Sequence, residues 1–431
     1  MAATPTSFAL QWLNRWYMKL DRIHAASIKG SPWLKRVRYE NTGGEAVAQP
    51  FVLYGHRGDS GDLQNAQNIS ANQKASRKFR WLVPYGTYEG SIRVPHRDIA
   101  LSRKDKDAAA KAMQFDTDLA LKQRGANMVR LWFANPGYSL VSAVRAFNSV
   151  TSVIGGLTAQ EASNFIPGDQ IVPSLSSGNA GTDVLIPGAG IGYVFQRDLR
   201  AGTVTVGNVP NPTAAGTPAN WVSTNYFYFR QGEFLPATGG AVDMIAPLQA
   251  YLPPAPVTTT LFNVDRSIDS ILSGFNPPDA SLTGKSISAR IKRTVNEHRE
   301  QLGYMAEDSE IDCAYLNPID WGKCEEELTT HLSRSPAQTA EDGYQFIELT
   351  TANGPLKLIS EPQCPRGVCF LLSQNDIVWH TPTGTVAEMV DQDGSIVSRM
   401  ANSNDLELRP VSYIAAKMSA PYKHCRLSTT I

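Results

Sequence analysis

The feature that most restricts this chain is the run "KDKDAAAKAMQFDTDLALKQRGANMVRLWF", residues 104–133. Phe115, Leu119, Ala126, Val129 and Phe133 follow spacings of four, seven, three and four, the period of one helix face. Asp105 and Asp107 suit a helix start, and Pro136-Gly137 stops the pattern. At about 1.5 Å per residue the run predicts a rod of roughly 45 Å, a structural beam.

The segments before the beam are of two kinds. Residues 1–44 read as an N-terminal arm. Leu13, Trp16, Leu20 and Ile23 fall at helical spacing after Thr6 or Ser7 as cap, and Gly30 and Pro32 break the pattern. So short a helix must dock on something to persist. Residues 45–98 read as a long hairpin. "AVAQPFVLYG" and "FRWLVPYGTYEGSIRVP" are strand-like flanks, and "HRGDSGDLQNAQNISANQ" between them is polar and turn-rich.

After the beam, residues 168–252 turn to Gly, Thr, Val, Pro and aromatics. "GTVTVGNV" and "NYFYFRQGEF" predict strands of an inserted small β-domain. Helices return with Ile287, Ile291, Val295, His298 and Leu302 on one face, closed by Gly303. Asn317 as cap with Pro318 at the first position opens another. Strands dominate from Tyr344 onward. The expected class is α+β with an insertion.

The formal charge of the 431 residues is zero but unevenly spread. Residues 1–135 hold 21 Lys and Arg against 11 Asp and Glu, a balance of +10; residues 300–348 hold 2 against 12, a balance of −10. Three readings stand: docking between copies of the chain, facing different surroundings on its two sides, or ordinary surface variation. Five cysteines at irregular spacing argue against a disulfide framework and for a reducing compartment. No apolar run is long enough to span a membrane, and the first residues lack a secretory signal pattern.

The motifs that suggest chemistry are weak. "VLIPGAGIGYVF", residues 184–195, has GxGxG spacing, a Pro that removes a donor, and a strand-like continuation, so it reads as a β-turn. "RGDSGD", residues 57–62, contains a protease-like string, yet His24 is the only histidine well upstream of it, His56 being its immediate neighbour; a hairpin tip is the better account. No CxxC or HExxH occurs. Cys313 and Cys324 fall on apolar stripes, and Glu325 to Glu327 read as a solvated helix face. "EPQCPRGVCFLL" from Glu361 places Cys364 and Cys369 around a Pro-Arg-Gly turn, with packing as the expected role of both thiols. The expectation is a non-enzyme with no catalytic residue, no cofactor and no metal.

In order along the chain, these segments resemble the major capsid (coat) proteins of tailed double-stranded DNA bacteriophages, a fold shared with encapsulins. Its anchors are the arm, hairpin and beam, "NYFYFRQGEF" leading to "LQAYLPP", "FNVDRSIDSILSG", "LNPIDWGKCEEEL", the Cys-Pro-x-Gly turn, and "DLELRPVSYIAAKMSAPYKHCRL". The resemblance implies the tailed-phage major capsid protein fold: an N-terminal arm (1–44), an extended β-hairpin loop (45–98), a peripheral domain with a long spine helix (99–167), an inserted β-domain (168–252), an axial domain (253–400), and a return strand of the peripheral domain (401–431).

It also implies a subunit that assembles as pentamers and hexamers into an icosahedral shell around double-stranded DNA. The subunit would be placed in the virion, and in the host cytoplasm during assembly. Implied partners are other copies of the chain, a portal at one vertex and decoration proteins, with no membrane. Because the hairpin begins by residue 45, a separate scaffolding protein is expected in place of a long N-terminal scaffolding segment. Arg57, Asp59, Asp62, Lys74, Arg77, Lys78 and Arg80 are candidate assembly contacts. Lys74 and Lys78 are also candidates for covalent links, with no partner Asn identified. Lys29, Lys35, Arg36 and Arg38 are candidate interior-facing residues, either in non-specific contact with DNA or bound to neighbouring subunits or scaffold. The alternatives are an encapsulin-like compartment shell, and, in a different class, a β-rich secreted enzyme or adhesin.

Overall fold

The computed structural model describes residues 20–54, 77–95, 106–134, 140–141, 143–175, 190–209, 218–229, 245–303, 310–331, 338–339, 345–389, 397–399 and 405–429. The beam is present as a single helix, Lys106–Phe133. Its second half is core: Leu121, Met128, Val129, Leu131, Trp132 and Phe133 are all fully buried. The first half departs from the periodicity. Phe115 is 68% exposed and Leu119 53%, although both belong to the predicted apolar face. In that half Thr117 is buried, and continuous apolar cover begins around Leu121, near where the helix Leu20–Ile28 packs against the beam. The crossing depends on Gly125, where an added Cβ would lie 2.1 Å from the Ser27 carbonyl oxygen.

The described part of the expected arm is not free. The chain does break after Ile28, but Pro32 starts a second helix, Pro32–Arg36, with Ser31 as its cap. Trp33 is fully buried, stacked on Trp132 at 5.5 Å and edge-on to Phe133 and Tyr315. The strand Arg38–Asn41 then pairs in parallel with Ile377–Thr381. Leu13 and Trp16 lie outside the described residues.

The hairpin is Ala46–Tyr54 against Arg77–Pro84, antiparallel, with Val47 opposite Val83 and Phe51 opposite Phe79. Its base is docked. Trp81 is fully buried, stacked on Phe51 at 5.6 Å, in a cluster with Val264, Leu272, Leu302, Ala415 and Tyr422. The predicted tip, and with it Arg57, Asp59, Asp62 and Lys74, lies outside the described residues. The following strands, Gly86–Glu89 and Ile92–Val94, turn back into the body and pair with Pro410–Met418 and Leu406–Leu408.

Two larger sheets form the body. One joins Arg38–Asn41, Ile377–Thr381, Pro410–Met418 and Glu388–Met389 in that order, with Gly86–Glu89 also on Pro410–Met418. The other orders Gln338–Thr339, Gln345–Thr351, Gly354–Ser360, Cys313–Leu316, Val368–Leu372 and Cys425–Ser428. Against the second sheet pack the helices Ile287–Leu302 and Pro318–His331, burying Ile287, Ile291, Val295, Cys324 and Leu328. Ile377–Thr381, expected within the axial segment, therefore belongs to the first sheet. The expected single return strand is two: after Met418 a 3₁₀ turn at Pro421–Lys423 redirects the chain, and Cys425–Ser428 edges the second sheet.

Residues 145–229 close a six-stranded barrel. It starts ahead of the boundary at 168 because its first strands, Arg145–Asn148 and Val153–Gly155, are too short to show a period. Phe147, Ile154, Phe165, Ile171, Val204, Trp221 and Phe227 fill it. Two of the GxGxG glycines, Gly190 and Gly192, serve this packing. Trp221 Nε1 donates to the Gly190 carbonyl at 2.7 Å, and a Cβ at Gly192 would lie 2.5 Å from the Trp221 ring.

Candidate functional site

The residues with most chemistry converge on the turn at 361–367, where three distant parts of the chain meet. Glu361 is fully buried. Its carboxylate accepts hydrogen bonds from Ser31 Oγ at 2.5 Å, from the Trp33 amide at 3.0 Å and from the Gln363 amide at 3.2 Å. Burial pushes its pKa up to about 7, and these three donors hold it lower than burial alone would. Asn317 caps its helix by accepting from the Ile319 amide, while its Nδ2 donates to the Cys364 carbonyl at 3.1 Å. Asp320 accepts from the Gly367 amide at 2.7 Å and from Thr429 Oγ1 at 3.0 Å. Gly367 supplies the positive φ of 83°.

This is an anchoring arrangement. The N-terminal segment, the 318–331 helix and the C-terminal strand are tied to one strand reversal. Cys364 and Cys369 are fully buried, and burial pushes both thiols well above their usual range. Cys313 and Cys324 are pushed up to about 12 in the same way. Among the described residues no group of three or more His, Cys, Asp or Glu could hold a metal, and no helix is long and apolar enough to cross a membrane. Glu361 escaped the sequence reading; its one signal is an acidic residue set immediately before Pro362 at a strand end.

The candidate contact residues fall on separate elements. Lys78 and Arg80 are exposed on the outer side of the hairpin, alternating with Phe79 and buried Trp81. Arg77 occupies the start of that strand. Lys29 is exposed in the turn after the first helix, and Lys35 is exposed in the last turn of the next. Arg36 is half-buried, close enough to Cys313 and Tyr315 to favour their charged forms. Arg38 forms a 2.9 Å ion pair with Glu40. On the beam, exposed Phe115 and Leu119 lie one turn apart beside exposed Asp116.

No family model matches the chain, and no curated protein matches it. Solved structures do resemble it: the fold is a mixed α+β one, similar over most of its length to phage capsid subunits and encapsulins. The satellite phage P4 procapsid including size determination (Sid) protein shares 9% identity at a TM-score of 0.42, over 95% of this chain and 90% of that one. The cyanophage A-1(L) capsid asymmetric unit shares 10% at 0.42, over 96% and 94%. The holo-SrpI encapsulin complex from Synechococcus elongatus PCC 7942 shares 8% at 0.40, over 93% and 88%.

Proposed function

We propose that this chain is a structural subunit that assembles with copies of itself into the icosahedral capsid of a tailed bacteriophage, around its double-stranded DNA. The observation that carries the reading is the beam. A 28-residue helix is anchored by its second half and leaves Phe115 and Leu119 to solvent in its first. Burying such side chains yields about 1.5–3 kcal/mol each, so a second molecule covering them gains what the isolated chain forgoes. The hairpin is the complementary part, rooted at Trp81 and carrying Lys78 and Arg80 outward. Laid over a neighbour, these cations set register against its acidic groups, each exposed pair contributing about 0–1 kcal/mol. Such a contact joins unlike surfaces and closes into a ring of five or six when the rotation permits.

A separate scaffolding protein, a portal and decoration proteins complete the proposed set of partners. The virion is the proposed location, with assembly in the host cytoplasm. The basic residues Lys29, Lys35, Arg36 and Arg38 supply the proposed non-specific contact with DNA. Electron microscopy of the expressed protein with a candidate scaffold tests the reading. Closed shells are expected, and deletion of Asp59 to Asn68 should leave a folded chain that forms none. Normal shells from that deletion would overturn the role of the hairpin, and shells filled with a cargo enzyme would replace the phage reading by an encapsulin one. A stable monomer under all conditions would refute both.

A further inference from the structure

Where the end of the beam, the barrel and the 361–367 turn meet, the surface opens into a cleft of about 360 Å³. Arg130, Arg366 and Arg426 all line it, against a single carboxylate, Glu161. That carboxylate is already engaged. Arg145 Nη2 donates to both of its oxygens at 2.7 Å, and the Thr158 amide donates to one at 2.9 Å. Among the described lining residues no further carboxylate is left for Arg366 and Arg426.

Arg426 makes the imbalance costly. Its Nη1 is buried and has no hydrogen-bond partner among the described residues. Burial lowers its pKa to about 10, so it stays charged at neutral pH. A buried guanidinium N–H without an acceptor is unfavourable unless something supplies one. Arg366 is exposed on the turn at the same cleft, where its planar fork can take a second oxygen. On the same wall Gln363 Oε1 is buried and also lacks a partner, and it can only accept.

The ligand must therefore bring a carboxylate and, beside it, an N–H donor. A peptide with an acidic side chain has both. A phosphodiester has no donor, and apolar lining from Phe133 and Leu140 suits a peptide better than a nucleic-acid backbone. The chain carries such a peptide: residues 307–310 read Glu-Asp-Ser-Glu within the stretch of −10 balance, and Glu310 is exposed. We propose that the cleft beside the 361–367 turn receives the acidic 307–310 segment of a second copy of this chain, its carboxylate on Arg426 and Arg366 and its amide on Gln363 Oε1. The inference rests on the shell reading for its second copy, but the binding site belongs to one molecule and is tested on one.

The test is fluorescence anisotropy of a labelled Glu-Asp-Ser-Glu peptide titrated with the full-length protein. Saturable binding is expected, with none for Gln-Asn-Ser-Gln. Arg426→Gln should weaken it on the order of 30-fold, as loss of a buried charge partner does. Arg366→Gln, on an exposed side chain with no role in folding, should weaken it by up to about fivefold, and it serves as the probe if Arg426→Gln does not fold. No binding by the native chain, native affinity in both variants, or full displacement by equimolar inorganic phosphate would each overturn the proposal. Peptide binding without shells would separate it from failure of the capsid reading.

Discussion

The two halves of the long helix obey the same periodicity and meet opposite fates. From Leu121 to Phe133 the large apolar side chains are buried under the N-terminal helices and both sheets; Leu119, two residues before Leu121, and Phe115, one turn before Leu119, are exposed. Hydrophobic spacing reports that a face wants cover, and it is silent on whether that cover comes from the same molecule. The second half is thus the part that holds the molecule together, and Phe115 and Leu119 in the first are what the proposed shell contact would cover.

The sharpest way to break this contrast is Trp132→Ala. Trp132 is fully buried between Trp33 and Trp379, so the change should cost about 3–5 kcal/mol and show as a large fall in the urea midpoint. Gly125→Ala comes next. Its Cβ would meet the Ser27 carbonyl at 2.1 Å, forcing the two helices apart at a cost of about 1–3 kcal/mol, read as a lower Tm.

Glu361 tests the same half through pH. It fastens Trp33, which stacks on Trp132, and its folded pKa is raised by burial to about 7 from 4.5. Between those values the folded chain binds more protons than the unfolded one, so stability falls as pH rises from 4.5 towards 7 and levels off above it. Glu361→Gln should flatten that slope and melt higher than the native chain at pH 8, in thermal scans at pH 5 and 8, by on the order of 1–3 kcal/mol. The smallest effect on stability belongs to Phe115→Ser with Leu119→Ser, within about 0.5 kcal/mol each. Shell yield by sedimentation should nonetheless collapse. Large destabilisation with unchanged shells would invert the comparison.

Local signals in the sequence were good guides to local structure. The beam, the Asn317-Pro318 helix start, the Gly303 stop and the reversal at Gly367 are each set by neighbouring residues, through capping, positive φ or the fixed φ of proline. Pairing across long separations carries no such signature. Arg38–Asn41 beside Ile377–Thr381 joins residues some 340 apart, and nothing in "RYEN" announces a parallel partner. The barrel began early for a related reason, since "RAFN" and "VIG" are too short to alternate visibly. At the 361–367 site the turn was legible from Pro365 and Gly367. Glu361 was not, because its importance comes from Ser31 and Trp33 arriving from the other end of the chain.

The route of the last described residues has a consequence for synthesis. Pro410–Met418 lies inside one sheet and Cys425–Ser428 completes the other, with Thr429 bonded to Asp320. Neither sheet can close while these residues are still within the ribosome, so a nascent chain stays unfinished on both sides until residue 429 has emerged. In the proposed shell pathway, subunits would recognise one another only after both sheets have closed.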